Sequence, residues 1–265
     1  MKNFAKGIIT KPATRHICYC LTPPRFLWDN SQKFVDDFGL PWIIRKASLP
    51  LLTYMRIWDA QAADRVDQWW AISKFVQSRV KKYYHSDSKL IYPPVSVDQF
   101  KIAPSHEDYF LMVGRLVSYK KFHLAIEAFN QLGWPLKIAG SGPEISKLKN
   151  IAKKNIQFLG SVSQSDLADY YAKAKALIFP QEEDFGIVPL EAMASGRPVI
   201  AYKGGGALET IVDGKTGLFF DEQTTESLME VLRKFDSYKF DPQECRRQAE
   251  KFDVEVFKKN ILANL

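Results

Sequence analysis

From Tyr109 onward, short apolar runs alternate with stretches in which apolar residues recur every three or four positions. "YFLMVG" (109–114), "LKIAG" (136–140), "IQFLG" (156–160), "ALIFP" (176–180), "PVIAY" (198–202) and "GLFF" (217–220) are near-continuously apolar, the pattern of strands covered on both faces. Residues 122–132, 166–174 and 187–194 carry helical spacing between them. Such alternation predicts a parallel, doubly wound α/β sheet over residues 109 to about 237. Three of the runs end in glycine, at the strand ends where open α/β sheets place their ligand loops.

The first hundred residues differ. "HICYC" (16–20) and "WWAIS" (69–73) have strand character, 51–63 and the basic run 74–84 helical character, and "LTPPRFLWDN" (21–30) reads as a Pro-rich loop. "KLIYPPV" (89–95) closes the region, its two prolines suiting a linker. Two or three strands are too few for a doubly wound sheet. The expected division is therefore a partial domain over 1–95, a nucleotide-binding-type domain over 96–240, and two tail helices over 241–265. The tail's Phe252, Val256, Phe257, Ile261 and Leu262 are expected to pack back toward the N-terminal part.

Composition narrows the function only a little. The chain is 46% hydrophobic and 25% charged, which excludes disorder. Lysine and arginine outnumber acids 37 to 30, a +7 balance that suits an anionic ligand, an anionic membrane surface or nucleic acid. No nucleic-acid module accompanies the basic residues, so nucleic acid is set aside. Three cysteines provide no disulfide framework, pointing to a reducing, cytoplasmic setting. No apolar run approaches the length of a membrane span. The four histidines are scattered, and the acidic trio 182–184 lacks a second carboxylate element, so no metal is expected.

Candidate chemistry gathers at the glycine-ended strands. "GRLVSYKK" (114–121) sets Gly114, Arg115 and Lys120 in a strand-to-helix loop. N–H groups at a helix start and two cations, both expected to be exposed in the unliganded cleft, suit a phosphate; a solvated basic loop is the plainer reading. "AGSGPE" (139–144) lacks the third glycine of a dinucleotide fingerprint, which weakens an oxidoreductase reading. "GGGALET" (204–210) predicts close backbone approach, since three successive glycines are costly without a conformational need; a flexible turn is the alternative. "EEDFGIVPLEAMASGRP" (182–198) begins a helix directly after "ALIFP". N–H groups around Gly186 and Ile187 are expected at the same sheet edge as Arg115 and Lys120. Glu191 falls in the first helical turns, able to reach a ribose diol, and Glu183 points into the cleft. The helix macrodipole alone would also account for acids there. Together the loops suit a sugar nucleotide, with its diphosphate on the cations and its hydroxyls on the acids.

"EDFGIVPLEAMASGRPVIA" resembles the signature of glycosyltransferase family 4, retaining GT-B enzymes with a Glu, seven residues, Glu hallmark. "VGRLVSYKKFHLAIEAF", "IAGSGPE", "IQFLGSVSQSDLADYYAKA" and "GGALETIVDGKTGLFF" resemble the flanking blocks in order and spacing. "HICYCLTPPRFLWD", "RIWDAQAADRVDQWWAIS" and "VKKYYHSDSKLIYPPV" resemble its mannosyltransferase-like subgroup. The resemblance implies a GT-B fold of two Rossmann-like domains, the second complete and the first a half-domain without the family's opening βαβ unit and Gly-rich loop. It implies that Arg115 and Lys120 hold the donor diphosphate and Glu191 the ribose. Glu183 and the backbone of Asp184, Phe185 and Gly186 would contact the transferred sugar. The loop at Gly160–Val162 would lie against the base, with Gly140 near the nucleotide. Donor-binding residues on this pattern are Gly114, Arg115, Lys120, Gly140, Gly160, Val162, Glu183, Phe185, Gly186, Ile187 and Glu191. Arg115, Lys120 and Glu183 are the catalytic candidates. The implied activity is transfer of a hexose such as mannose from a GDP- or UDP-linked donor to a glycan or lipid-linked acceptor, with retention and without a metal or other cofactor. The setting would be cytoplasmic, with peripheral contact at the inner face of a membrane. Leu21 stands where the subgroup pattern has a histidine, so a catalytically weak nucleotide-sugar-binding fragment is the rival expectation.

Overall fold

Where the sequence alternates, the chain builds parallel sheets, one in each of two compact units that divide between Tyr92 and Pro93. The computed structural model describes residues 2–29 and 42–265; Asn30, the end of the Pro-rich stretch, lies outside them.

In the first unit, β1 (Ile17–Cys20), β2 (Gln68–Ala71) and β3 (Ser88–Leu90) pair in that order, all parallel. The helices are a single turn α1 (Arg25–Trp28), then α2 (Trp42–Ala63) and α3 (Lys74–Tyr84). α3 starts where the Ser73 side chain accepts a hydrogen bond from the Val76 N–H at 3.0 Å, satisfying one orphan donor of the first turn. α2 begins nine residues before the expected 51 and carries Pro50 inside it. Buried Asp59 ties the unit together. It pairs with Lys6 and accepts bonds from Trp28 Nε1 at 2.9 Å and Tyr84 Oη at 2.8 Å, so its charge is offset from three sides.

The second unit holds β4 (Phe110–Val113), α4 (Phe122–Leu132), β5 (Leu136–Ala139), α5 (Ile145–Ile151), β6 (Ile156–Gly160), α6 (Gln164–Lys173), β7 (Ala176–Phe179), α7 (Ile187–Ala194), β8 (Val199–Tyr202), α8 (Ala207–Thr210), β9 (Gly217–Phe220), α9 (Thr225–Lys234), α10 (Pro242–Glu250) and α11 (Val254–Leu262). All six strands are parallel, in the order β6-β5-β4-β7-β8-β9. The order reverses between β4 and β7, which opens a crevice at their carboxyl ends. Phe110, Phe129, Leu136, Ile138, Leu228 and Leu232 belong to the core between this sheet and helices α4 and α9. Each such side chain, essentially removed from water, contributes roughly 1.5–3 kcal/mol. α10 packs on α7, where Arg246 Nη1 donates to the Phe100 and Ala194 carbonyls at 2.6 and 2.7 Å. α10 is thus built into the second unit.

Candidate functional site

β4 and β7 deliver their loops to the same switch point, and these loops carry the candidate residues. After β4 the chain passes Gly114 and Arg115, then a single turn over Ser118–Lys120. After β7 it passes Gln181, Glu182 and Glu183 before α7, whose N-cap Gly186 sits at φ 89° without a side-chain cap. That conformation favours glycine, and no side chain caps the helix's first N–H groups.

Lys120 departs from expectation. Only Arg115 is exposed; Lys120 is half-buried because its ammonium forms an ion pair with Glu183 across the switch point. A cation enclosed by two loops without a counter-charge would be costly, and Glu183 offsets it. Gly114, at φ 150°, closes the strand beside the ammonium: a Cβ built there would make an ordinary contact of 3.7 Å with Lys120 Nζ.

Beside this pair an open cleft of about 640 Å³ runs over the ends of β4, β5 and β6. Gly114, Arg115, Gly140, Ser161 and Val162 line it. Gly140 must be glycine: its φ is 135°, and a Cβ there would fall 1.9 Å from the Gly114 carbonyl oxygen. The Gly140 N–H donates to the Gly160 carbonyl at 2.7 Å, which fixes the third loop against the second. Lys120, Glu183 and Glu191 are not among the cleft's walls; Gly114, shared by both, joins the cleft to the ion pair.

Glu191, the fifth residue of α7, is half-buried and accepts a hydrogen bond from Tyr171 Oη at 2.7 Å. Tyr171 lies in α6, is 1% exposed, and meets the Phe100 ring edge-on. Burial pushes the Glu191 carboxyl above its ordinary 4.5, and the Tyr171 O–H pulls it partly back. Tyr171 was not singled out from sequence; the sole signal was a tyrosine on the apolar side of 164–173. Phe185 is 2% exposed, its ring 5.7 Å from that of Phe252, so only its backbone is left for a ligand. Ile187 is exposed at the start of α7.

The triple glycine proves to be a brace. The Gly206 N–H donates to the Glu183 carbonyl at 2.9 Å, and a Cβ on Gly206 would sit 2.3 Å from the Phe185 Cα. Close approach, not a flexible turn, is what the three residues supply.

A smaller hollow of about 290 Å³ lies at the amino ends of the strands, beside Tyr109, Lys137 and the α6 residues Asp169 and Lys173. Lys137 lines it, 3.7 Å over the Tyr109 ring, and Glu107 pairs with both Lys137 and Lys173. The carboxyl edge is therefore the candidate site. Among the described residues no three His, Cys, Asp or Glu side chains gather into a metal-holding group, and no helix is long and apolar enough to cross a membrane.

A doubly wound parallel sheet whose switch point carries cations and a helix start without a side-chain cap makes this a Rossmann-like α/β unit. Residues 97–252 match the family model for glycosyl transferases group 1, and the chain belongs to that family. It is 30% identical over 168 residues to an uncharacterized glycosyltransferase of Methanocaldococcus jannaschii, covering 61% of this chain and 47% of that one. An alpha-1,3/1,6-mannosyltransferase of Kluyveromyces lactis is 33% identical over 53% of this chain and 39% of its own. A GDP-mannose-dependent mannosyltransferase of Mycolicibacterium smegmatis, acting on a phosphatidylinositol monomannoside, is 29% identical over 59% of this chain and 50% of its own. The chain thus spans about half the length of these curated relatives. Among solved structures, the Anabaena protein HepE in complex with UDP and glucose superposes with a TM-score of 0.70 at 20% identity, over 79% of this chain and 66% of that one. A Rickettsia africae glycosyltransferase superposes at 0.66 and 18% identity, over 97% and 82%. The fold is GT-B, and mannosyltransferases are among the family members that the chain resembles in sequence.

Proposed function

We propose that the protein transfers a hexose, mannose being the first to test, from a nucleoside-diphosphate donor to a glycan or lipid-linked acceptor with retention of configuration. The observation carrying this reading is the convergence of Arg115, Lys120, Glu183 and the start of α7 on one switch point. Arg115, Lys120 and the α7 N–H groups would stabilise the charge that develops on the leaving diphosphate, the part an oxyanion hole plays in acyl transfer. Glu191 would accept from the ribose hydroxyls, and Glu183 from the hexose. The mannosyltransferase relatives favour GDP-mannose, while HepE with UDP and glucose makes UDP-glucose the alternative. Calorimetric titration of GDP-mannose, UDP-glucose and UDP-GlcNAc decides the donor; binding of none of them would overturn the reading. Protein cations alone meet the diphosphate here, so the dissociation constant should be the same in excess EDTA as in Mg²⁺. A tenfold loss on chelation would give the 182–184 acids a metal role instead.

The raised carboxyl of Glu191 predicts a pH dependence. A carboxyl whose folded-state pKa lies above its unfolded value loses stability for the fold as pH rises through that interval, so charged Glu191 costs the unliganded protein stability at neutral pH. Ribose hydroxyls that donate to it offset that cost and require the ionised form. Affinity for a sugar nucleotide, whose own phosphates do not titrate there, should fall as pH drops, starting above 4.5. Tyr171→Phe removes the O–H that lowers the pKa, so the fall should begin at higher pH still. Superimposable pH profiles for the two proteins would remove Tyr171 from this role.

A further inference from the structure

The Lys120 and Glu183 side chains are 12% and 19% exposed in their ion pair. Beyond Glu183, the ammonium lies 5.9 Å from the centroid of the Tyr119 ring. The carboxylate has a second donor. Gln181 Nε2 lies 3.2 Å from the same Oε1, and Gln181 is 3% exposed. Among the described residues no hydrogen bond reaches Glu183 Oε2. One carboxylate oxygen is thus shared by a mobile-chain cation and a buried, neutral amide.

We propose that Glu183 is the resting counter-anion of Lys120, that an incoming donor diphosphate displaces it, and that Gln181 then retains Glu183 for the hexose. The inference rests on the donor-site reading above. A diphosphate and Glu183 compete for one ammonium, so a bare nucleoside diphosphate must break the pair and leave the carboxylate without its cation. A sugar nucleotide breaks it too, but its hexose hydroxyls then donate to the freed carboxylate. The pair therefore penalises the bare diphosphate relative to the sugar-linked one. Charge alone favours the opposite order, because the bare diphosphate is the more negative of the two. Bare diphosphate is also what transfer releases, so re-formation of the Lys120–Glu183 pair would help expel it. Gln181 is a positioning residue in this scheme: uncharged, it has no reason to follow the phosphate and keeps its hold on Oε1 throughout.

The test is calorimetric titration of GDP, GDP-mannose, UDP and UDP-glucose into the wild type, Glu183→Gln, Glu183→Ala and Gln181→Ala. Both Glu183 variants should bind the bare diphosphate of the preferred base roughly three- to tenfold tighter than wild type, the effect of removing a part-buried competing ion. Their preference for the sugar nucleotide over the bare one should shrink on the order of tenfold. Gln181→Ala should hold bare-diphosphate affinity within about twofold while weakening the sugar nucleotide severalfold, a split that general loss of structure would not produce. Bare diphosphate bound no tighter by either Glu183 variant overturns the counter-anion role. Wild type that binds none of the four ligands overturns the donor site itself, a result distinguishable from the first.

Discussion

Lys120→Ala is expected to weaken sugar-nucleotide binding about a hundredfold, more than any other single change at the switch point. Loss of a charge-assisted contact alone costs roughly 1.5–3 kcal/mol, or about ten- to a hundredfold. The remainder comes from Glu183, which stands uncovered once its ammonium is gone and repels the diphosphate. Arg115 is exposed and more screened, so Arg115→Ala should cost closer to tenfold. Removing the uncovered carboxylate as well, in Lys120→Ala with Glu183→Gln, should restore part of the bare-nucleotide affinity. The fold should survive, since solvent reaches Glu183 once Lys120 is shortened. An equal or larger loss for Arg115→Ala would show that Lys120 is not the main diphosphate cation.

Arg197→Ala should instead act on stability. Arg197 is 5% exposed; its Nε donates to the Ala172 carbonyl at 2.7 Å, and its Nη2 to those of Ala103 and Ser105 at 3.3 and 3.1 Å. It ties the end of α6 and the chain before β4 to the corner ahead of β8. Alanine would orphan the buried Ala172 carbonyl, lose the bonds to the Ala103 and Ser105 carbonyls and leave a cavity, at a cost of roughly 1.5–3 kcal/mol. Urea unfolding should move to clearly lower denaturant, while the folded fraction still binds nucleotide. An unchanged midpoint would mean that these three bonds do not hold the corner.

The two residues differ in how legible they were. All six strands after Tyr109 and helix α7 follow from apolar periodicity, because a sheet covered on both faces leaves an unmistakable run. Arg115, Glu183, Gly186 and Glu191 were visible because each sits at a strand end or helix start, where local sequence marks the edge. Long-range pairing was not visible. Lys120 and Glu183 are 63 residues apart, and nothing in either loop says that its charge is spent on the other. Tyr171 and Glu191 are likewise joined only by the packing of α6 on α7. Arg197, in its Gly-Arg-Pro corner, gave no hint that its carbonyl partners lie as far back as Ala103. Pro50 made residue 51 look like a helix start, since proline ordinarily breaks the backbone ladder; α2 runs through it. Short helices such as Ile145–Ile151 and Ala207–Thr210 complete too few turns for a period to register.

The glycine brace behind the 183–186 loop separates two kinds of sequence change. The loop's course is fixed by main chain: the Gly206 N–H on the Glu183 carbonyl, and Gly205 and Gly206 too close to the Glu183 and Phe185 backbone to admit a side chain. The Glu183 side chain takes no part in that support: it turns to Lys120 and Gln181. An exchange of the Glu183 side chain would therefore remove the ion pair with Lys120 while the loop keeps its course. Residues 205 and 206 have no comparable latitude. A side chain at either would push the main chain at 183 or 185 off its course.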